Sequence, residues 1–222
     1  MGKIQDHYDT MKTALIAGAT GLIGGQLLEL LLASDQYNKV VAITRKALPA
    51  HLKLIQVQME SDKIPELHEA FKADDVFCCL GTTIAKAGSK EKFRQVDLEY
   101  PFMLAKNSLA LGAKQYLIVT ALGAAKDSSI FYNRVKGEVE EAISSVGFQT
   151  LHIFRPSLLV GPRSEARTGE EAAKVFYKIF GFLIPKKYKA IESNKVAMAM
   201  LHFASKNQKG KFIHESVDLQ NF

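Results

Sequence analysis

Short apolar runs alternate with amphipathic stretches over most of this chain. Six runs have the length and composition of buried strands, and they cover residues 12–17, 39–43, 53–57, 75–80, 115–120 and 150–154. Helical spacing of apolar residues begins at Leu22 and recurs over residues 64–71, 90–111 and 131–145. This alternation predicts an α/β fold, a doubly wound parallel sheet of Rossmann-like type with helices on both faces.

The alternation weakens beyond Arg155. Helical patterns occupy residues 170–180 and 193–204, and a short strand is predicted at residues 212–214. We therefore expect a single domain over residues 12–222, after an N-terminal tail of residues 1–11. Within that domain, we expect residues 12–155 to form the main α/β core and residues 156–222 a small C-terminal helical cap. Pro101 lies inside the stretch 90–111 and predicts a kink or a break there.

Composition narrows the class of protein. With 222 residues and 47% hydrophobic content, the chain can build one sizeable core. No apolar run is long enough to span a membrane, and the polar first eleven residues lack the apolar segment of a signal peptide, so a cytoplasmic protein is expected. Cys78 and Cys79 are adjacent and would point to opposite faces of a strand, which disfavours an internal disulfide. The histidines lack metal-ligand spacing, and no metal is expected.

The net charge of +6 comes mostly from dispersed lysines. Such a charge is compatible with nucleic acid or an anionic membrane surface, but no nucleic-acid motif accompanies it. Solvated lysines and attraction to a polyanionic cofactor are the favoured explanation, and no nucleic-acid partner is expected.

A glycine-rich turn separates the first predicted strand from the first predicted helix. Its residues are Gly18-Ala19-Thr20-Gly21-Leu22-Ile23-Gly24. Glycines let the chain turn sharply and bring its backbone close to a pyrophosphate, while the helix N-terminus offers N–H groups to that anion. The position of the glycines between a strand and a helix therefore favours a dinucleotide site over a turn that binds nothing.

Two cations follow the second predicted strand. NAD-binding proteins usually carry an Asp or Glu at this position, where it accepts a hydrogen bond from the ribose 2′-hydroxyl. This chain has Arg45 and Lys46 instead, and both suit a 2′-phosphate. The alternative is an ordinary solvated loop. We interpret the pair as a preference for NADP(H), and residues 12–155 as the cofactor-binding core.

Tyr132 and Lys136 are four residues apart at the start of the last long helix of the core. Side chains at this spacing share a helix face, and a nearby ammonium stabilises a tyrosinate, which makes the tyrosine a usable general acid or base. Chance supplies such pairs readily, as Tyr8 and Lys12 show. Only Tyr132 follows a strand on the carboxyl side of the predicted sheet, where doubly wound folds bind ligands.

These motifs together resemble the short-chain dehydrogenases/reductases, in their extended and atypical branches. The motifs, in chain order, are Gly18-x-x-Gly21-x-x-Gly24, Leu80-Gly81-Thr82, Tyr132-x-x-x-Lys136 and Arg155-Pro156-Ser157. Segments 78–83, 86–88 and 135–140, together with the surroundings of Arg163, Arg167 and Gly169, are similar to the Tat-interacting oxidoreductase-like proteins. The likeness covers roughly residues 12 to 205.

The resemblance implies a role for each matching position. Thr20, Gly21, Leu22 and Ile23 would hold the pyrophosphate, and Arg45 and Lys46 the 2′-phosphate. Leu80 and Gly81 would line the adenosine and ribose side, and Lys136 would bind the nicotinamide ribose as well as assist Tyr132. The backbone from Pro156 to Leu159 would face the nicotinamide, and Arg167 would reach a phosphate.

The resemblance also implies chemistry. Tyr132 would exchange a proton with the substrate oxygen as hydride moves to or from the nicotinamide, and a Ser or Thr hydroxyl at the end of the fifth strand would polarise that oxygen. The usual Ser-Ser pair is Thr120-Ala121 in this chain, so Thr120 is the candidate. If the second position is the catalytic one, this hydroxyl is missing.

Three functions follow from these observations. The favoured one is an NADPH-dependent oxidoreductase acting on a small carbonyl or alcohol, with Tyr132, Lys136 and Thr120 as catalytic residues. The alternative is a non-catalytic NADPH-binding redox sensor or scaffold, which Ala121 and the small C-terminal region support. A sugar-nucleotide epimerase or dehydratase would need a larger substrate lobe. The helical stretches 90–111 and 131–145 are candidates for pairing in a homodimer.

Overall fold

The computed structural model describes residues 11–58, 69–161, 185–206 and 208–222. Its strands are β1 (Lys12–Ala17), β2 (Tyr37–Thr44), β3 (Leu54–Gln58), β4 (Asp75–Cys78), β5 (Gln115–Val119), β6 (Thr150–Arg155), β7 (Leu159–Val160), β8 (Ile191–Glu192) and β9 (Gly210–Glu215). In the described ranges, seven strands form the main sheet in the order β3-β2-β1-β4-β5-β6-β9, and every neighbouring pair is parallel. This confirms the doubly wound, Rossmann-like single domain.

Helices cover both faces of the sheet. They are α1 (Leu22–Ala33), α2 (Ile84–Ala87), α3 (Lys90–Arg94), α4 (Tyr100–Ala110), α5 (Phe131–Ser144), α6 (Ser193–Ala204) and α7 (Ser216–Leu219). One core layer lies under α1 and α6, with Leu27 and Met200 fully buried, and the other lies under α4 and α5, with Leu104 and Val139 fully buried. No helix within the described ranges is long and apolar enough to cross a membrane.

The predicted interruption near Pro101 has a definite form. A π-helical segment, Gln95–Glu99, joins α3 to α4, and Pro101 follows it in the first turn of α4. Proline lacks an N–H, and its ring clashes with the carbonyl four residues earlier, which here belongs to Asp97. A wider π turn directly before the proline relieves that clash without ending the helix.

The C-terminal region contributes more than a cap to the described structure. β9 pairs with β6 along its whole length, and α6 packs beside α1. The short strand predicted at residues 212–214 therefore spans Gly210–Glu215 and extends the sheet. α2, α7, β7 and β8 were not predicted because two to four residues are too few to show a periodic pattern.

Two predicted helices fall largely outside the described residues. The stretch 170–180 lies there entirely, and so does Arg167. Of the stretch 64–71, only the 3₁₀ turn Glu69–Phe71 is described.

Candidate functional site

The glycine turn packs directly against the end of β4. Gly18 has φ +88°, a left-handed conformation that glycine adopts without strain, and a Cβ there would lie 2.5 Å from the carbonyl oxygen of Cys79. A Cβ on Gly24 would overlap the carbonyl oxygen of Gly18. The backbones of the turn, α1 and β4 thus approach more closely than side chains would allow. This junction is where the strand order reverses between β1 and β4, the usual ligand position in such sheets.

The N-terminus of α1 presents backbone donors. Gly21 is the N-cap, and no side chain caps the helix. The first turn also contains no acidic residue. Thr20 and Gly21 are exposed, Leu22 is partly buried and Ile23 is buried in the core. Uncapped N–H groups and the positive end of the helix dipole suit a bound phosphate group.

The loop after β2 holds its two cations in an ordered turn. The Thr44 hydroxyl donates to the carbonyl of Lys46 at 2.6 Å, and the Lys46 N–H donates back to that hydroxyl at 3.1 Å. The side chain of Gln58 donates to the carbonyl of Arg45 at 3.2 Å. Arg45 and Lys46 are both exposed at the carboxyl end of β2, the edge of the sheet at which the glycine turn also lies.

A buried ion pair lies beneath the loop that follows β4. Lys136 Nζ on α5 is 2.7 Å from Asp97 Oδ1 in the π-helical segment, and the two side chains are 5% and 0% exposed. Asp97 Oδ2 accepts a hydrogen bond from the backbone N–H of Thr82 at 2.9 Å. A Cβ on Gly81 would lie 3.8 Å from Lys136 Nζ, so the ammonium is adjacent to this turn. The structure thus brings together Lys136 and Gly81, which the sequence analysis named separately as cofactor-site residues.

Tyr132 lies one turn before Lys136 on α5, and its ring packs 5.7 Å from that of Phe93 on α3. Burial acts to lower the pKa of Lys136, but the charges of Asp97 and Tyr132 outweigh it and raise the pKa above the ordinary lysine value. Lys136 therefore carries its proton at neutral pH, which is the state that stabilises a tyrosinate.

Thr120 belongs to a second charged network at the same edge of the sheet. Its hydroxyl is 2.6 Å from Glu140 Oε1, and Arg155 makes two hydrogen bonds to the same carboxylate, at 3.0 and 2.5 Å. Arg155 also donates to Glu215 at 2.9 Å. The hydrogen bond to Glu140 is the largest influence on Arg155 and raises its pKa above the ordinary arginine value, although burial acts in the opposite direction. This network ties β5, α5, β6 and β9 together.

The remaining predicted residues lie around these groups. The carbonyl of Pro156 accepts from the N–H of Leu122 at 2.9 Å, and Leu159 pairs with Ile191 between β7 and β8. Leu80 is partly buried and Gly81 exposed after β4. In the part of the chain that the structure describes, no group of three or more metal-ligating side chains occurs.

Sequence reasoning missed three residues of this site. Asp97 and Glu140 hold Lys136 and Thr120, and Gly137 lets α5 approach the loop before it, because a Cβ there would overlap the backbone of Ala125 and Lys126. Glu140 follows Lys136 by one helical turn and Tyr132 by two, so their shared face was available as a signal. Asp97 and Gly137 offered no comparable pattern.

Comparisons with known proteins give one matching family model and several similar proteins. The model of the NAD dependent epimerase/dehydratase family matches residues 14–180. The chain is similar to protein HTATIP2 of Rattus norvegicus, at 38% identity over 178 residues that cover 78% of this chain and 73% of that protein. It is also 38% identical to the mitochondrial protein FMP52 of Candida glabrata over 159 residues, 71% of this chain and 68% of that one.

Solved structures share the fold. MoeE5 in complex with UDP-glucuronic acid and NAD superposes with a TM-score of 0.71 at 17% identity, covering 90% of this chain and 75% of MoeE5. The resemblance to short-chain dehydrogenases/reductases and to the Tat-interacting proteins is therefore confirmed at the level of fold and relatives.

One expectation is corrected by these relatives. The FMP52 proteins of several fungi carry the word mitochondrial in their names, which contradicts the expected cytoplasmic location. The polar N-terminus misled the prediction for a physical reason. Lack of an apolar signal-peptide segment argues against secretion, but mitochondrial targeting segments are amphipathic rather than apolar, so it does not distinguish the two compartments.

Proposed function

Because the chain belongs to the NAD dependent epimerase/dehydratase family, we propose that it is an oxidoreductase that binds NADP(H) at the carboxyl edge of its sheet. The substrate in this proposal is a small carbonyl or alcohol. The observation that carries the proposal is the junction of the glycine turn with β4, beside which Lys136 lies at Gly81. An uncapped helix N-terminus and a lysine one turn from a tyrosine thus occur at one edge of the sheet.

The residues present fit a nicotinamide dinucleotide. Backbone groups of Thr20, Gly21, Leu22 and Ile23 would hold the pyrophosphate, and Gly18 and Gly24 leave room for the chain to approach it. Leu80 and Gly81 would contact the adenosine and ribose side, and the segment from Pro156 to Leu159 would face the nicotinamide. Arg167, outside the described residues, is proposed to contact a phosphate. Lys136 would hydrogen-bond the nicotinamide ribose.

The bound nicotinamide would supply or accept the hydride. Tyr132 would give its phenolic proton to the substrate oxygen in reduction and take it back in oxidation. Lys136 is charged and buried beside it, so its ammonium would stabilise the tyrosinate that remains. Thr120 is proposed to polarise the substrate oxygen, and to do so its hydroxyl would have to leave Glu140.

A non-catalytic NADP(H)-binding sensor or scaffold is the second candidate. The observation that favours it is Thr120, a residue that is 5% exposed and whose hydroxyl is already bonded to Glu140, next to an alanine that has no hydroxyl. In that case the cofactor would stabilise one conformation for a partner to bind.

A homodimer remains part of the proposal. One side of α4 and the two residues after α5 form an open, mainly apolar groove, lined by Phe102, Lys106, Leu109, Ala110, Ser145 and Val146. Partly apolar helix faces of this kind suit contact with a second copy of the chain.

The cofactor preference is tested by fluorescence titration with NADPH and NADH. We expect wild-type protein to bind NADPH at least about tenfold more tightly than NADH. Arg45→Ala should weaken NADPH binding by roughly 10- to 100-fold, the usual worth of a charge-assisted hydrogen bond, and leave NADH binding unchanged.

The matched control is Lys39→Ala, which removes an exposed cation from the same strand away from its carboxyl end. It should change NADPH affinity by less than about twofold because solvent and salt screen a distant surface charge. Equal affinity of the wild type for both nucleotides would contradict the NADP(H) preference. Binding of neither nucleotide would overturn the cofactor proposal altogether.

A further inference from the structure

Asp97 is fully buried, and its two carboxylate oxygens contact two different elements of the candidate site. Oδ1 pairs with Lys136 Nζ at 2.7 Å, and Oδ2 accepts from the Thr82 N–H at 2.9 Å. A buried charge is costly unless it is paired and hydrogen-bonded. Removing one partner therefore leaves the other buried without compensation for its lost hydration. This one side chain therefore connects α5 to the loop after β4.

The π-helical segment explains how Asp97 reaches this position. Pro101, four residues later, disfavours an ordinary α-helical turn at Asp97, and the wider turn Gln95–Glu99 precedes it. The Pro101 carbonyl also accepts from the Tyr116 hydroxyl on β5 at 2.9 Å, which fixes the start of α4 against the sheet. Asp97 thus projects from a segment whose C-terminal side is hydrogen-bonded to β5, and π segments of this kind occur often at functional sites.

We propose that Asp97 is a positioning residue that holds Lys136 against the Gly81–Thr82 turn, where its ammonium would meet the cofactor ribose. The inference rests on the proposed function, because it assigns Asp97 to the same cofactor site. In this arrangement the lysine and the turn form one preassembled unit before the cofactor binds, which lowers the conformational cost of binding.

The charge balance around Lys136 supports this role. The groups that act on the ammonium are Asp97 from the π-helical segment, Tyr132 from α5 and Cys78 from β4. Burial raises the pKa of the Cys78 thiol, so it is neutral, and Asp97 is the anion in direct contact. Burial by itself lowers the pKa of Lys136. Without Asp97, the lysine would lose its proton, and with it its strength as a donor, closer to neutral pH.

The test is the affinity for NADPH of Asp97→Asn, measured by fluorescence titration between about pH 6.5 and pH 9.5, the range in which a destabilised lysine loses its proton. We expect the variant to bind NADPH about tenfold more weakly near neutral pH, and to weaken further as the pH rises, while the wild-type affinity stays level. The matched control is Asp75→Asn. Asp75 is also buried and bonded to Tyr37 and Lys12, but it lies at the amino edge of the sheet, so this variant should keep the wild-type pH profile.

A double variant separates positioning from general support of the fold. In Lys136→Met the charge that Asp97 serves is gone, so adding Asp97→Asn should weaken NADPH binding by less than about twofold. The double variant lacks both charges of the buried ion pair, so its affinity remains informative if Asp97→Asn alone does not fold. An equal further loss in the Lys136→Met background, or an Asp97→Asn pH profile identical to wild type, would overturn the inference. Failure of the wild type to bind either nucleotide would instead overturn the proposed function.

Discussion

The hydroxyl of Thr120 has two acceptors within reach, Glu140 Oε1 at 2.6 Å and the carbonyl of Phe154 at 3.3 Å. A hydroxyl has one hydrogen to donate, and the shorter contact to a carboxylate is the stronger. Thr120 therefore supports the Glu140–Arg155 pair in this structure. The catalytic role of Thr120 stays a prediction, and so does that of Tyr132, which rests on its place beside Lys136.

Replacement of Tyr132 by Phe tests the proton donor. The variant keeps the ring that packs against Phe93 but lacks the phenolic proton. We expect turnover of small aldehydes and ketones with NADPH to fall by about 10²- to 10⁴-fold, the usual contribution of general acid catalysis, with little change in NADPH affinity. Steady-state absorbance assays over a panel of such substrates measure this.

Tyr188→Phe is the matched control, since Tyr188 is half exposed in the turn before β8. It should retain wild-type turnover. If the wild type binds NADPH and Tyr132→Phe turns over substrate as fast as the wild type, Tyr132 is not the proton donor. If the wild type binds NADPH but turns over no carbonyl of the panel, the sensor or scaffold is favoured.

At the scale of elements, α1 contains two adjacent glycines with opposite surroundings. A Cβ on Gly24 would overlap the carbonyl oxygen of Gly18, whereas a Cβ on Gly25 would lie 3.5 Å from the carbonyl of Ala19, an ordinary contact. The close approach of α1 to the glycine turn therefore depends on Gly24 and not on Gly25. The sequence motif marks Gly24, and the geometry gives the reason.

Alanine at each position tests this difference. Gly24→Ala should force α1 away from the turn, lower the free energy of unfolding by about 1–3 kcal/mol and weaken NADPH binding at least about tenfold. Gly25→Ala should be neutral or stabilising by up to about 1 kcal/mol, because alanine favours a helix over glycine. Urea unfolding and fluorescence titration measure the two effects. Equal losses for both variants would contradict the proposed packing.

At the scale of the whole molecule, a histidine pair joins β6 to β9. His152 Nδ1 lies 2.9 Å from His214 Nε2, and the ring of Phe203 from α6 stacks on His214 with centroids 3.9 Å apart. The pKa of each histidine is lowered to about 4, mainly by burial, and the neighbouring His214 contributes to the lowering for His152. The C-terminal strand is thus attached through a contact that requires neutral imidazoles.

The stability of the fold should depend on pH through this pair. The unfolded chain binds protons near pH 6.5 and the folded chain only near pH 4, so stability rises with pH across that window and is lost as pH falls through it. In the double variant His152→Phe and His214→Phe, the loss between pH 6.5 and 4 should be smaller, by up to roughly 1.4 kcal/mol per pH unit for each histidine.

Urea unfolding at several pH values measures this dependence. His51→Gln serves as the control, because His51 is exposed in the loop before β3, and its pH dependence should match the wild type. If the double phenylalanine variant loses as much stability as the wild type when the pH falls, carboxylates elsewhere account for that loss.

The sequence by itself determined the features that depend on neighbouring residues. Periodic apolar runs specified the order of strands and helices, and the glycines of the turn, Arg45 and Lys46 took the positions expected from the strands they follow. Pro101 likewise located the interruption that became the π-helical segment. These patterns are local, because hydrophobic periodicity and backbone restrictions act within a few residues.

Tertiary structure alone decided which distant side chains meet. Asp97 pairs with Lys136 because the π-helical segment and α5 pack against each other, and Thr120, which directly follows β5, meets Glu140 on α5. The pairing of β9 with β6 was equally hidden, since a strand pattern does not name its partner. Such contacts depend on how whole elements pack. Because a buried charge must be paired, few packing arrangements satisfy it.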